Sequence, residues 1–203
     1  VPTPESKLQE INSYYALSKK DQEDMVMLFG QTYGLPVVAM RRFNVFGPRQ
    51  SLSNPYTGVA AIFMSRLKND NPPVVFEDGL QSRDFISVHD IVRANILAME
   101  SDKADGKIYN VGAGRQVSVL EIARTLSRLL GKDIEPEIVG KFRKGDVRHC
   151  FADISRIKED LGFEPEVSLE DGFSELIEWS RNAEAVDMVD QATRELKEKG
   201  LVG

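Results

Sequence analysis

An α/β fold with a mainly parallel sheet is predicted by three features of this chain. Short apolar, valine-rich runs alternate with longer helix-like stretches along its 203 residues. The helix-like stretches open on capping residues such as Ser13 and Ser168, and the first closes on Gly34. One stretch, Val117 to Leu130, sets Leu120, Ala123 and Leu126 on one side at helical spacing.

Taken in order, residues 1–11 are polar with two prolines and read as the end of a loop. Asn12 or Ser13 caps a helix to about Tyr33, stopped by Gly34 and Pro36. Leu35 to Phe46 reads as one buried strand ending at the Gly47-Pro48 turn. Pro55 to Gly58 opens a helix from about Val59 to Lys68, and Val74 to Phe76 is a short strand before the Asp78-Gly79 turn. Phe85 to Val88 is a strand, and His89-Asp90 starts a helix to about Glu100. Lys107 to Val111 is strand-like, Val117 to Leu130 helical, and Pro136 to Val139 a weak strand. Helices are expected over Ile154 to Leu161, Leu169 to Arg181 and the strongly charged Ala185 to Lys199.

Composition narrows the function classes. The net charge is −6 and the basic residues are dispersed, which argues against a nucleic-acid role. No apolar run approaches the ~20 residues that cross a bilayer, so no membrane role is expected. The single cysteine, Cys150, has no internal disulfide partner, which suits a reducing cytoplasm. His89 and His149 are far apart with no ligand at metal spacing, so no metal site is expected.

The chemistry starts at Ser13-Tyr14-Tyr15-Ala16-Leu17-Ser18-Lys19. A spacing of four stacks Tyr15 and Lys19 on one helical face, which Tyr14 with Lys19 and Tyr15 with Lys20 do not achieve. A phenol is almost wholly protonated at neutral pH, and a cation beside it favours the phenolate, so such a pair can serve as an acid/base. An exposed helix with a tyrosine packed at its edge gives the same pattern. Glu23, one turn past Lys19, could pair with it or stand solvated. Asn110-Val111-Gly112-Ala113-Gly114 offers Gly-x-Gly after a strand, but the third glycine position is Val117. It reads as a strand-to-helix turn rather than a phosphate cradle, with Asn110 stabilising it. No other glycine-rich loop is found, so the expectation is the C-terminal part of a longer polypeptide with little NAD-dependent activity of its own.

Tyr15-Ala16-Leu17-Ser18-Lys19 followed by Arg42-Phe43-Asn44-Val45-Phe46-Gly47-Pro48 resembles the extended short-chain dehydrogenase/reductase family, the nucleotide-sugar epimerases and dehydratases. Arg83-Asp84-Phe85-Ile86-Ser87-Val88-His89-Asp90 continues the resemblance. So do Tyr109-Asn110-Val111-Gly112, Arg143-Lys144-Gly145-Asp146 and Ala152-Asp153-Ile154-Ser155. Gln50 to Gly58, Phe76-Glu77-Asp78-Gly79 and the tail from Asp190 to Val202 look more particularly like the dTDP-L-rhamnose 4-epimerase group.

The resemblance implies the C-terminal portion of a Rossmann-type doubly wound parallel sheet plus a smaller α/β substrate-binding lobe. Residues 1–50 would end the NAD-binding domain. Residues 51–203 would form mainly the substrate lobe, with 85–130 returning strands and helices to the first domain. It implies NAD as cofactor and a nucleotide-diphosphate sugar as substrate, epimerised at carbon 4 through a 4-keto intermediate. It also implies a homodimer built partly on the Tyr15–Lys19 helix. A 4,6-dehydratase and a non-catalytic nucleotide-sugar-binding module are the alternatives.

By resemblance, Tyr15 is the acid/base, Lys19 holds the nicotinamide ribose, and Phe43 lies beside the cofactor. Asn44 contacts the substrate near its diphosphate, or shapes the turn. Arg83 and Arg143 clamp the diphosphate; Arg83 could instead pair with Asp84 or Asp90. Phe76 stacks near the base or packs in the core, and Asn54 matches a polar position near the sugar nucleotide. Arg41 and Arg42 lie on a strand and point opposite ways, so at least one is expected to pair structurally. Tyr109 and Trp179 are expected in the core or at an interface.

Overall fold

The computed structural model describes residues 2–54, 58–141 and 147–198. Helix α1, Tyr14–Tyr33, starts where the Ser13 side chain accepts the Ala16 N–H and stops where Gly34 turns left-handed at φ 63°. It lies on strand β1, Val38–Arg42. Strand β2, Asn44–Phe46, comes after one intervening residue. Helix α2 is Val59–Lys68, β3 Val74–Val75, β4 Ser82–Arg83 and β5 Phe85–Ser87. Helix α3, Val88–Met99, leads through a tight turn at Asp102–Ala104 to β6, Lys107–Val111. Next come β7, Val117–Ser118, α4, Val119–Leu129, β8, Glu137–Ile138, and β9, His149–Cys150. Helices α5, Ser155–Leu161, α6, Leu169–Ser180, and α7, Val189–Glu198, complete the order.

Among the described residues the strand pairings are parallel except one. β1 pairs with β6, β2 with β5, β3 with β8 and β4 with β9, all parallel; β4 and β7 run antiparallel. The single strand expected over 35–46 is therefore divided at Phe43. Phe43 N–H donates to Val111 O on the β6 side at 3.1 Å, and Asn44 N–H donates to Asp84 O on the β5 side at 2.9 Å. Successive residues of a strand face opposite ways, and Phe43 is where one partner gives out and the other begins.

Three further expectations shift. Val117–Ser118 is a short strand before α4 rather than its first turn. The short strands β4 and β9 are additions to the expected elements, because two residues carry no readable periodicity. The last helix starts at Val189 rather than Ala185, because polar contacts hold residues 185–187 out of helical geometry.

Two apolar cores result. Phe46, Phe63, Leu67, Phe85, Ile122, Leu126, Phe173 and Leu176 close one between α2, α4 and α6. Ile86, Tyr109, Val111, Ile157 and Phe163 close the other around β6, α3 and α5. Phe85 and Ile86 are neighbours on β5, yet each enters a different core, so this strand is the wall between the two. Tyr109 is fully buried and Trp179 packs against the first core.

Candidate active site

Tyr15 and Lys19 stand at the start of α1, and the Lys19 ammonium nitrogen lies 5.7 Å from the Tyr15 ring centroid. That is a cation–π contact, with the charge over the ring. Lys19 Nζ also donates to Gln22 Oε1 at 3.1 Å. Tyr15 is 72% exposed, so the pair stands in near-aqueous surroundings in this structure.

Glu23 does not pair with Lys19. Its two oxygens accept from Arg41 Nε and Nη2, both at 2.7 Å, and from Gln9 Nε2 at 3.2 Å. The Arg41 bonds hold the Glu23 carboxyl below its ordinary range, against partial burial. Arg41 reaches on to Glu5 O at 2.9 Å. The better partner won because Arg41 on β1 presents a planar fork across the α1–β1 seam, whereas Lys19 lies on the exposed side.

Asn44 lies on β2 and Arg83 on β4, the strand that leads into β5, the partner of β2. Asn44 is paired with Phe85, two residues past Arg83, and is half-buried. Between them Asp84 is fully buried and accepts three backbone N–H groups, from Ala113 at 2.6 Å, Gly114 at 2.9 Å and Ala152 at 3.0 Å. Burial pushes its carboxyl up while those N–H groups pull it down. This settles what the Gly112-Ala113-Gly114 turn does. Its N–H groups cradle the protein's own carboxylate, and a phosphate has no room there. Asn110 does not brace this turn as expected. Its side chain donates to Thr3 O and Asp153 O, tying the N-terminal segment to the end of β6.

Arg83 turns to backbone carbonyls: its Nη1 donates to Ser82 O at 2.8 Å and Arg148 O at 3.3 Å. The two carboxylates considered as its partners are engaged by backbone, Asp84 as just described and Asp90 by the N–H groups of Glu166 and Val167. Phe76 is half-buried at the end of β3, and its carbonyl accepts from Gln81 Nε2 at 2.9 Å. Phe43 is half-buried at the strand division. Asn54 is exposed and lies apart from this group, beside the C-terminal segment. Arg143 lies outside the described residues.

One organising residue escapes a reading of the sequence. Arg148 donates to Glu77 Oε2 at 2.5 Å and to both Asp78 oxygens at 2.7 Å, fixing the turn after Phe76. The guanidinium holds the Asp78 carboxyl well below the usual carboxylate range. Glu77 is left-handed at φ 53°, a conformation that costs a non-glycine residue about 1–3 kcal/mol and persists where surroundings over-determine it. The sequence signal is the acidic pair Glu77-Asp78 with an unassigned arginine downstream. Nothing in their spacing joins them.

A parallel α/β framework with an exposed tyrosine–lysine pair on its first helix defines a protein of the short-chain dehydrogenase/reductase type. Residues 1–176 match the family model described as GDP-mannose 4,6 dehydratase, and the chain belongs to that family. It is 36% identical over 168 residues to a dTDP-L-rhamnose 4-epimerase of Burkholderia thailandensis, covering 82% of this chain and 46% of that protein. It superimposes on the UDP-glucose 4-epimerase of Thermotoga maritima with UDP-glucose at a TM-score of 0.81 and 40% identity, covering 89% of this chain and 57% of the other. The UDP-glucuronic acid 4-epimerase of Bacillus cereus, in complex with UDP-glucuronic acid and NAD, gives a TM-score of 0.82 at 28% identity, covering 91% and 57%. The chain spans about half the length of the curated relatives it matches. The expected resemblance to nucleotide-sugar epimerases and dehydratases holds, as does the Rossmann-type α/β class.

Proposed function

We propose that the protein interconverts a nucleotide-diphosphate sugar with its carbon-4 epimer through a 4-keto sugar, with NAD as cofactor. The observation that carries this is the Lys19 ammonium 5.7 Å from the Tyr15 ring on an exposed helix edge. Tyr15 takes the proton from the sugar's 4-hydroxyl and returns it when the alcohol re-forms on the other face. Lys19 stabilises the phenolate once bound ligands exclude water and lower the local dielectric.

The residues present fit the nicotinamide-ribose end of the cofactor. A phenol and an ammonium share one exposed face and offer a ribose a hydroxyl and a charged donor. Lys19, Tyr15 and Phe43 are the residues we assign to that end. Bound NAD would supply the hydride acceptor that a non-acidic carbon 4 needs. The Gly112–Gly114 turn does not fit its diphosphate, because Asp84 fills it.

For the substrate we assign Asn44, Arg83 and Arg143 to the diphosphate side, Phe76 to the base and Asn54 to the sugar. Supporting this, β2 pairs Asn44 with Phe85 of β5, two residues past Arg83 on β4, and Arg148 rigidifies the turn after Phe76. The core around β6 and α3 is assigned to the cofactor domain, and the core around α2, α4 and α6 to the substrate lobe. A cytoplasmic location is proposed from the single cysteine.

The test is to incubate the intact protein and NAD with a panel of dTDP- and UDP-hexoses and to resolve products by their carbon-4 configuration. Interconversion of a pair of carbon-4 epimers is expected. Loss of water to a 4-keto-6-deoxy sugar would instead make the protein a dehydratase. Tight sugar-nucleotide binding without turnover would make it a binding module.

A further inference from the structure

Residues 3–7 are fixed against the chain that follows β9, the strand paired with Arg83. Arg83 of β4 is the register partner of Cys150 on β9. Two residues past Cys150, Ala152 forms a parallel bridge with Thr3. Thr3 N–H donates to Phe151 O at 2.8 Å, and Thr3 O accepts from Asp153 N–H at 3.0 Å and from Asn110 Nδ2 at 2.8 Å. Glu5 is held in turn: its Oε1 accepts the Asn110 N–H at 2.8 Å, and its carbonyl accepts from Arg41 Nη1 at 2.9 Å. Lys7 N–H then donates back to Pro4 O at 3.1 Å, which closes a turn.

This anchoring brings a second cation towards Arg83. Lys7 is exposed and makes no ion pair among the described residues. Its acidic neighbour Glu5 has its carboxylate turned to Asn110. Burial pushes the Cys150 thiol up, and the charges of Arg83 and Lys7 both oppose that shift. One thiol thus lies within the field of both cations. Asp84 lies within the same reach, but its carboxylate is engaged by the N–H groups of Ala113, Gly114 and Ala152. A guanidinium offers a planar fork and an ammonium acts as a point charge, and the two together suit a diphosphate, in which each phosphate brings its own negative charge.

We propose that Lys7 is a further binding residue for the diphosphate of the sugar nucleotide, acting beside Arg83. This rests on the assignment of Arg83 to that diphosphate. Lys7 takes no part in the proton transfer at Tyr15. Its contribution is to affinity, and it acts through charge.

The experiment measures binding of UDP and dTDP, each beside its monophosphate, to the intact protein by calorimetry at low and high salt. The variants are Lys7→Met, Lys7→Arg and Arg83→Ala, with Lys158→Met as a control that removes a lysine from an exposed ion pair elsewhere. For Lys7→Met the proposal predicts a diphosphate Kd about tenfold higher, a smaller loss for the monophosphate and a flatter dependence of Kd on salt. Lys7→Arg and the control should bind as wild type does. An unchanged Kd for Lys7→Met overturns the proposal, as does an equal loss in Lys158→Met. Weaker binding by Arg83→Ala with Lys7→Met unchanged leaves the reading of Arg83 standing and removes Lys7 from the site. Absence of diphosphate binding by wild type overturns both.

Discussion

Asp84 shows how a single side chain can decide the meaning of a motif. A Gly-x-Gly turn after a strand could cradle a phosphate, but a buried carboxylate already occupies its N–H groups. Gly112 is required because a Cβ there would stand 2.5 Å from Asp84 Oδ2 and 2.7 Å from the Ala152 Cβ. Gly112→Ala should therefore destabilise the protein by about 1–3 kcal/mol, the usual scale of overpacking. Denaturant melts check this, and an unchanged midpoint would show that the cradle has slack. The Tyr15–Lys19 pair is legible in the sequence because a four-residue spacing on a helix has one geometric outcome. The partner of Glu23 is not, because it lies on another element 18 residues away, and helical spacing says nothing of that element. The same holds for Arg148 and its acidic turn, some 70 residues apart in sequence.

At the scale of elements, α1 owes its seat to a clamp and a close approach. Gly30 lets the helix meet Val37, whose Cγ2 would lie 2.2 Å from an added Cβ. The Arg41–Glu23 pair locks the same seam one turn past Lys19. Because the Glu23 carboxyl is held below its ordinary value of 4.5, the clamp's stabilisation is full above that pH and is lost as pH falls through the lower folded value. Glu23→Gln should cost about 1–2 kcal/mol at neutral pH, given a partly exposed charged pair, and progressively less than that below pH ~4. Parallel melts of wild type and variant across pH test this; a gap that does not narrow in acid would contradict it. Most helices are readable from their caps, as the match of Ser13 and Gly34 to the ends of α1 shows. The division at Phe43 and the late start of α7 are not. Each is set by tertiary partners, Val111 and Asp84 in one case and Ser53, Asn69 and Asn71 in the other.

For the whole molecule, the outer face of α1 is the feature that asks for a partner. Tyr14, Leu17, Met25, Leu28, Phe29 and Tyr33 are all exposed on it, and the Phe29 and Tyr33 rings contact each other at 4.6 Å. The resemblance implies a homodimer built partly on this helix, and if it forms, this face is where a second copy would sit. Met25→Lys combined with Phe29→Lys should turn the intact protein into a monomer by light scattering, and a persisting dimer would place the interface elsewhere. Such a partner would also help cover the helix edge on which Tyr15 sits, and covering is what gives its ammonium neighbour electrostatic reach. The central claim is that Tyr15 moves the proton, and steady-state turnover of the intact Tyr15→Phe variant tests it most directly. The account predicts a kcat lower by about 10²–10⁴-fold with KM within a few-fold of wild type. A kcat equal to that of the unsubstituted protein would contradict it.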